Sequence, residues 1–326
     1  HEFFIIRLTD EPLTYEKGCP ALPHVCRSVI IPNTANMDVQ VVASSYSDLE
    51  NVNVAPSKGH IYRTTDPATV PYTFGDVYGT NDWYPTDVAD LGTPYIQRDI
   101  RGQVVNVYPI QYNPVTKTLR VYDSVTVRVS EDTATDAAAV NTLPVGYSKP
   151  CKSFSQLAKN RYINGGSYGQ GRYPGMDEDG EMLIITYDSF NSNVQPLANW
   201  KNSQGINTTV VNVSTIGNNA SSIKSYIQTF YNQNDLAFVL LVGDAAQVAT
   251  PYTGGYAADP TYGLLAGSDH YPDAMVGRFS ATTAGHVDTQ VTRTIEFEQG
   301  IHGGDWQWKG IGIASTEGPG HYGEYD

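Results

Sequence analysis

The sequence predicts two units of different class: a β-rich module over residues 1–150 and an α/β unit on a parallel sheet over 176–326, joined by a linker over 151–175. Three observations carry this. The N-terminal part consists of short alternating apolar and polar runs broken by Gly, Pro, Asn and Asp, the pattern of a sandwich or barrel. The C-terminal part alternates strand-length apolar runs with segments of helical period, the pattern of βαβ units. Between them the chain turns to Ala, Thr, Ser, Gly and Asn, and NGGSYGQGRYPG over 164–175 is a linker by composition.

In the first unit the clearest strands are Val39 to Val42, Tyr62 to Thr64, Gln103 to Tyr108 and Leu119 to Val129. Over Leu119 to Val129 the odd positions are mostly apolar and the even ones polar, so one face meets a core and the other water. Asn113-Pro114 reads as a hairpin turn. In the second unit, strands are expected at Glu181 to Tyr187, Gly205 to Val213, Leu236 to Val242, Ala274 to Phe279 and Lys309 to Ser315. Helices are expected at Ser192 to Gln204, around Ile223, Ile227, Phe230 and Tyr231, and at Thr282 to Glu298.

At 326 residues and 40 % hydrophobic, the chain can bury two ordinary cores. A net charge of −14 argues against nucleic acid or an anionic membrane as partner. No apolar run approaches the roughly 18 residues of a membrane span. The chain opens His1-Glu2-Phe3-Phe4, without Met or a signal peptide, as expected of a processed or trimmed product. Cys19 and Cys26 could close a small loop, leaving Cys151 odd; Cys151 follows Pro150 in a polar segment with no element expected to hold it.

LAFVLLV at Leu236 to Val242 is a continuous apolar run suited to a strand buried on both faces. It stops at Gly243-Asp244, where an acid beyond a strand's carboxyl end invites a functional reading. Two further carboxylates stand four positions apart in Asp269-His270-Tyr271-Pro272-Asp273. If the loops converge, three charges together need a cation or protons, and an oxygen-only donor set suggests Ca²⁺. Alternatively, Asp244 caps the next segment and the other two face solvent.

LLVGD, YGLLAGSDHYPDAMVGRFS, TQVTRTIEFE and IGIASTEG occur in the order in which similar segments occur in the first half of the gingipain catalytic domain. RDIRGQVVNVYPIQYNPVTKTLRVYDSVTVRV, Arg98 to Val129, resembles the prodomain of the same family. These are secreted bacterial cysteine endopeptidases with a caspase-like fold. The resemblance implies an inhibitory prodomain, then a caspase-like α/β domain incomplete at its C-terminus, secreted or at the cell surface. It implies a Ca²⁺ site of Asp244, Asp269 and Asp273 with the carbonyls of Ala266 and Tyr271. Asp273 stands where the family often carries Glu, so its arm is shorter.

The resemblance also implies that Glu317 orients a catalytic His, that Asp326 pairs with substrate arginine in the S1 pocket, and that the precursor is cut between Arg172 and Tyr173. A carboxylate facing a guanidinium selects Arg over Lys through a bidentate, charge-assisted pair. His-Gly occurs here only at His302-Gly303, just after the last expected helix; the resemblance places the family's nucleophilic Cys and its His further on, so the pair is expected beyond this chain or on a second chain. His270 is expected at the surface, and His286 facing solvent. The implied function is an Arg-specific cysteine endopeptidase zymogen, inert by itself, acting on proteins or peptides with Arg at P1. The alternative is a non-catalytic calcium-binding interaction or assembly protein that retains the fold.

Overall fold

The computed structural model describes residues 3–62, 64–135, 137–149, 151–168, 179–301 and 303–310. Its N-terminal unit is built from β1 (Val25–Ile30), β2 (Met37–Leu49), β3 (Ala89–Leu91), β4 (Tyr95–Gln97), β5 (Ile100–Val107), β6 (Ile110–Asn113) and β7 (Thr118–Glu131). They form two antiparallel sheets. In one, β5 pairs with β1 on one edge and with β3 and β4 in succession along the other. In the other, β7 lies between β2 and β6, and β6–β7 is the hairpin expected at Asn113-Pro114. Leu22, Val54, Ile110, Tyr112 and Leu119 fill the core, and the inward positions of β7 are the odd-numbered residues that the alternation marks. No strand forms at Tyr62: its ring is 82 % exposed, leaving no face to bury, and Arg63 lies outside the described residues.

The expected linker is structured at its start. Helix α1 (Lys152–Arg161) forms because Phe154, Ala158 and Tyr162 recur on one helical face and all are buried. Ala158 and Tyr162 pack on Tyr95 and Ile100 of the β-rich module, and Phe154 packs on Ala237 of the second unit. Cys151, just before the helix, is buried rather than loose in a polar segment, its Sγ 3.4 Å from the Asp179 carbonyl. Lys152–Arg161 of the expected linker is therefore helical.

The second unit runs β8 (Glu181–Thr186), α2 (Asn191–Ser203), β9 (Thr208–Asn212), α3 (Val213–Ile216), α4 (Ala220–Gln233), β10 (Leu236–Val242), a hairpin of β11 (Tyr252–Thr253) and β12 (Tyr256–Ala257), β13 (Met275–Phe279) and α5 (Ala284–Glu298). The sheet order is β13-β10-β8-β9, every pair parallel. Alternate residues serve opposite faces: Leu183 and Ile185 pack with Ile223, Ile227 and Tyr231 of α4, whereas Ile184 packs with α2 and α5 through Leu197 and Val287. Both faces are thus covered, which is why β10 reads as an unbroken apolar run. The chain leaves β8 toward β9 and returns across it to β10, so the strand order reverses between β8 and β10. That reversal is where α/β sheets bind ligands, beyond the carboxyl ends of the strands. The strand expected from Lys309 lies almost wholly outside the described residues.

Candidate functional site

At the carboxyl rim, β8 and β10 end in Tyr187-Asp188 and Gly243-Asp244, on either side of the reversal. Gly243 has φ +135°, and a Cβ there would come within 2.7 Å of the Gln247 Cβ, so glycine is required for the turn. The Asp244 carboxylate is exposed; its Oδ1 accepts from Ala245 N at 2.9 Å and Ser280 Oγ at 3.2 Å. Arg278 on β13 braces this loop. Its fork donates to both oxygens of Asp259, at 2.6 and 2.8 Å, and Nη1 donates to the carbonyls of Gly243 and Val248. Burial works against ionisation of Asp259, but hydrogen bonds from Arg278 and Thr250 outweigh it and hold the carboxyl below its ordinary value. The signal for Arg278 in the sequence is a cation near the end of a buried strand, in AMVGRFS.

The opposite, amino rim carries the acid loop. Each of its four carboxylate oxygens accepts a backbone N–H. Asp269 Oδ1 accepts from Tyr271 at 2.9 Å, and Oδ2 from Ile96 of the β-rich module at 2.8 Å. Asp273, fully buried, accepts Leu265 N at 2.6 Å and Ala266 N at 2.7 Å on Oδ2, and Arg98 N of the module at 2.7 Å on Oδ1. Burial pushes the Asp273 carboxyl up to about 6, although the backbone donors favour its ionised form. Gly267, at φ +73°, lets the loop approach Ile96, where a Cβ would meet that residue's Cβ at 3.3 Å. Tyr271 stacks on Tyr95 at 3.7 Å between centroids, with the Arg161 guanidinium 4.9 Å from its ring.

Arg98 is the centre of this contact and was not singled out from the sequence. It occupies the first position of the tight turn between β4 and β5, at φ +59°. Its side chain is wholly buried between the units: it donates to the carbonyl of Leu236 and, at 2.5 Å, to the Asp235 carboxylate, both of the second unit, and to the carbonyl of Lys149 in its own. A two-residue turn written Arg-Asp, where Asn-Gly or Asp-Gly is usual, signals that tertiary contacts hold it.

The three acids expected to converge do not. β10 and β13 are parallel, with Phe238 opposite Met275 and Val242 opposite Phe279. Asp273, just before β13, therefore lies at one rim and Asp244, just after β10, at the other, with about 20 Å of strand between them. Among the described residues no three His, Cys, Asp or Glu are grouped to hold a metal. The expected Ca²⁺ set, Asp244, Asp269 and Asp273 with the carbonyls of Ala266 and Tyr271, does not fit this arrangement, because one acid is remote and the oxygens of the other two face N–H donors. Arg172, Tyr173, Glu317 and Asp326 lie outside the described residues. His270 and His286 are exposed, and Cys19, Cys26 and Cys151 are free thiols.

Comparison with known proteins divides the chain as its two units do. Propeptide_C25 matches residues 6–159, and Peptidase family C25 matches residues 176–325. The chain thus pairs a propeptide with peptidase-domain sequence. The propeptide match falls on the β-rich first unit and the peptidase match on the α/β unit with its parallel sheet. Gingipain R1 of Porphyromonas gingivalis is 38 % identical over 310 residues, covering 93 % of this chain and 30 % of the relative. Gingipain R2 of the same species is 37 % identical, covering 93 % and 41 %. The chain therefore spans 30 % and 41 % of the length of these relatives, less than half of either. Among solved structures, the complex of Porphyromonas gingivalis RgpB pro- and mature domains has a TM-score of 0.43 at 41 % identity, covering 48 % of this chain and 78 % of that one. The Arg-specific cysteine proteinase gingipain R (RGPB) has a TM-score of 0.36 at 33 % identity, covering 37 % and 29 %.

Proposed function

We propose that the chain is the prodomain and leading catalytic segment of a secreted cysteine endopeptidase zymogen that cleaves after Arg. The observation that supports this best is the order of the two family matches together with the seating of the first on the second through Arg98. The nucleophilic Cys and its His would come from sequence outside these residues. The thiolate would attack the peptide carbonyl and expel the amine, protonated by the His, to give a thioester; water then hydrolyses it, releasing the carboxylic product and the thiol. Glu317 would orient the His, Asp326 would pair with the substrate guanidinium, and cleavage between Arg172 and Tyr173 would separate prodomain from enzyme.

The test uses the full-length gene product. A thiol-reactive peptide with Arg at P1 should label it after the linker is cut and the module removed, and the Lys analogue should not. Glu317→Gln should lower kcat without changing folding. Equal labelling by both peptides removes the Arg preference; turnover unchanged in Glu317→Gln removes that residue from the mechanism.

A further inference from the structure

The β-rich module holds a groove of about 820 Å³ between two extended runs, residues 5–7 and 57–61. At its head the neighbouring chain is paired: Phe4 N donates to Asn53 O at 2.7 Å, and Ala55 N donates to Phe4 O at 2.9 Å. Past that bridge the runs part. Among the described residues no backbone hydrogen bond joins 5–8 to 57–61, and the N–H groups of Ile5, Ile6 and Arg7 meet no backbone carbonyl. The floor is sunk because its residues, Ala21, Ala55 and Pro56, are short. Rings stand in the walls: Tyr15 stacks on His60 at 5.5 Å between centroids, and the Lys58 ammonium lies over Tyr72, 4.4 Å from its centroid.

The lining is positive in a chain whose net charge is −14. Lys58 is half-buried and donates to the Pro67 carbonyl at 2.6 Å, Arg7 is exposed, and among the described residues neither is paired with a carboxylate. Glu11, the one acid in the lining, is taken by Arg27 through contacts of 2.6 and 3.2 Å. Unmatched cations beside an apolar floor complement an anion carried on an apolar body. We propose that the groove binds an extended acidic segment of another protein. Its main chain lies along residues 5–7 as an added strand, using the N–H groups left open there. Successive side chains of a strand point to opposite sides, so apolar ones meet the floor while carboxylates reach Arg7 and Lys58 at the rim. The partner segment therefore alternates apolar and acidic residues.

Calorimetric titration of the full-length gene product with an acetylated, amidated peptide of alternating Val and Glu tests this. Saturable binding is expected, with the Val and Lys counterpart weaker by about ten-fold. Arg7→Gln combined with Lys58→Gln should weaken the Val and Glu peptide by about five-fold or more, and its binding should slow amide exchange at residues 5–7 by about ten-fold. Absence of saturable binding, or equal affinity for the two peptides, overturns the proposal. So does an affinity unchanged in the double variant, or exchange at residues 5–7 unmoved at saturation. Phenylacetate bound as tightly as the peptide would make the groove a pocket for small anions and overturn the peptide reading. Should thermal melting show that Lys58→Gln disturbs the fold, Arg7→Gln decides alone, because its side chain is exposed: a loss of about two-fold or more is expected, and no loss overturns the proposal.

Discussion

The two rims of the parallel sheet use the same parts in different ways. At the carboxyl rim an arginine of the sheet, Arg278, grips an acid of the same unit, Asp259, and so braces the loop that presents an exposed Asp244. At the amino rim an arginine from another unit, Arg98, is driven into the domain, and the acids beside it, Asp269 and Asp273, are occupied by that unit's backbone. One rim is complete within its own unit; the other is complete only while two units stay together. Acids at an unsatisfied rim would carry a desolvation cost, and the module offsets it with N–H groups and a guanidinium. Its departure must therefore be followed by hydration, protonation or another positive ligand.

Arg98→Ala should have the largest effect. It strips donors from the buried carbonyls of Leu236 and Lys149 and leaves Asp235 without its partner, a class of change that costs about 3–5 kcal/mol. Urea denaturation should show the loss, and Arg98→Gly should recover about 1 kcal/mol of it by relieving the left-handed backbone at this turn. A loss under about 1 kcal/mol for the alanine variant would mean that the plug is not what couples the units.

How much of this was legible follows from particular residues. The unbroken apolar run of β10 forces a strand covered on both faces, and an acid just past its end falls where ligands bind. The same rule carried an unused consequence: in a parallel sheet an acid just before a strand lies on the other rim, so Asp273 ahead of β13 could not meet Asp244 behind β10. Arg98 was hidden for a different reason. Its role depends on a partner surface far along the chain, at Leu236 and Asp273, and no local periodicity records that. The short face of Phe154, Ala158 and Tyr162 that makes α1 was present but was outweighed by the polar composition around it.

Arg278→Ala should rank second, at about 2–3 kcal/mol, because it frees a half-buried fork and the two carbonyls it ties down. The pair also predicts acid sensitivity with a definite sign. The folded-state value of Asp259 is lowered, so its contribution is complete above the unfolded value near 3.8 and is lost as the pH falls through the lower, folded one. Stability measured between pH 5 and 2.5 should fall more steeply in wild type than in Arg278→Ala; parallel curves would show that the pair contributes nothing to acid unfolding.

Asp244→Asn should have the smallest effect on stability, and that is what makes it informative. The carboxylate is exposed, and the one oxygen that accepts from Ala245 N and Ser280 Oγ has an equivalent in the amide oxygen of asparagine. The expected change is below about 0.5 kcal/mol, the range of surface substitutions away from buried features. Since the residue stands beside the reversal in strand order, a loss of turnover in the full-length enzyme with the urea midpoint unmoved would assign the carboxyl rim to function. A midpoint shift as large as that of Arg278→Ala would instead make Asp244 part of the brace, and the contrast between a structural amino rim and a free carboxyl rim would fail.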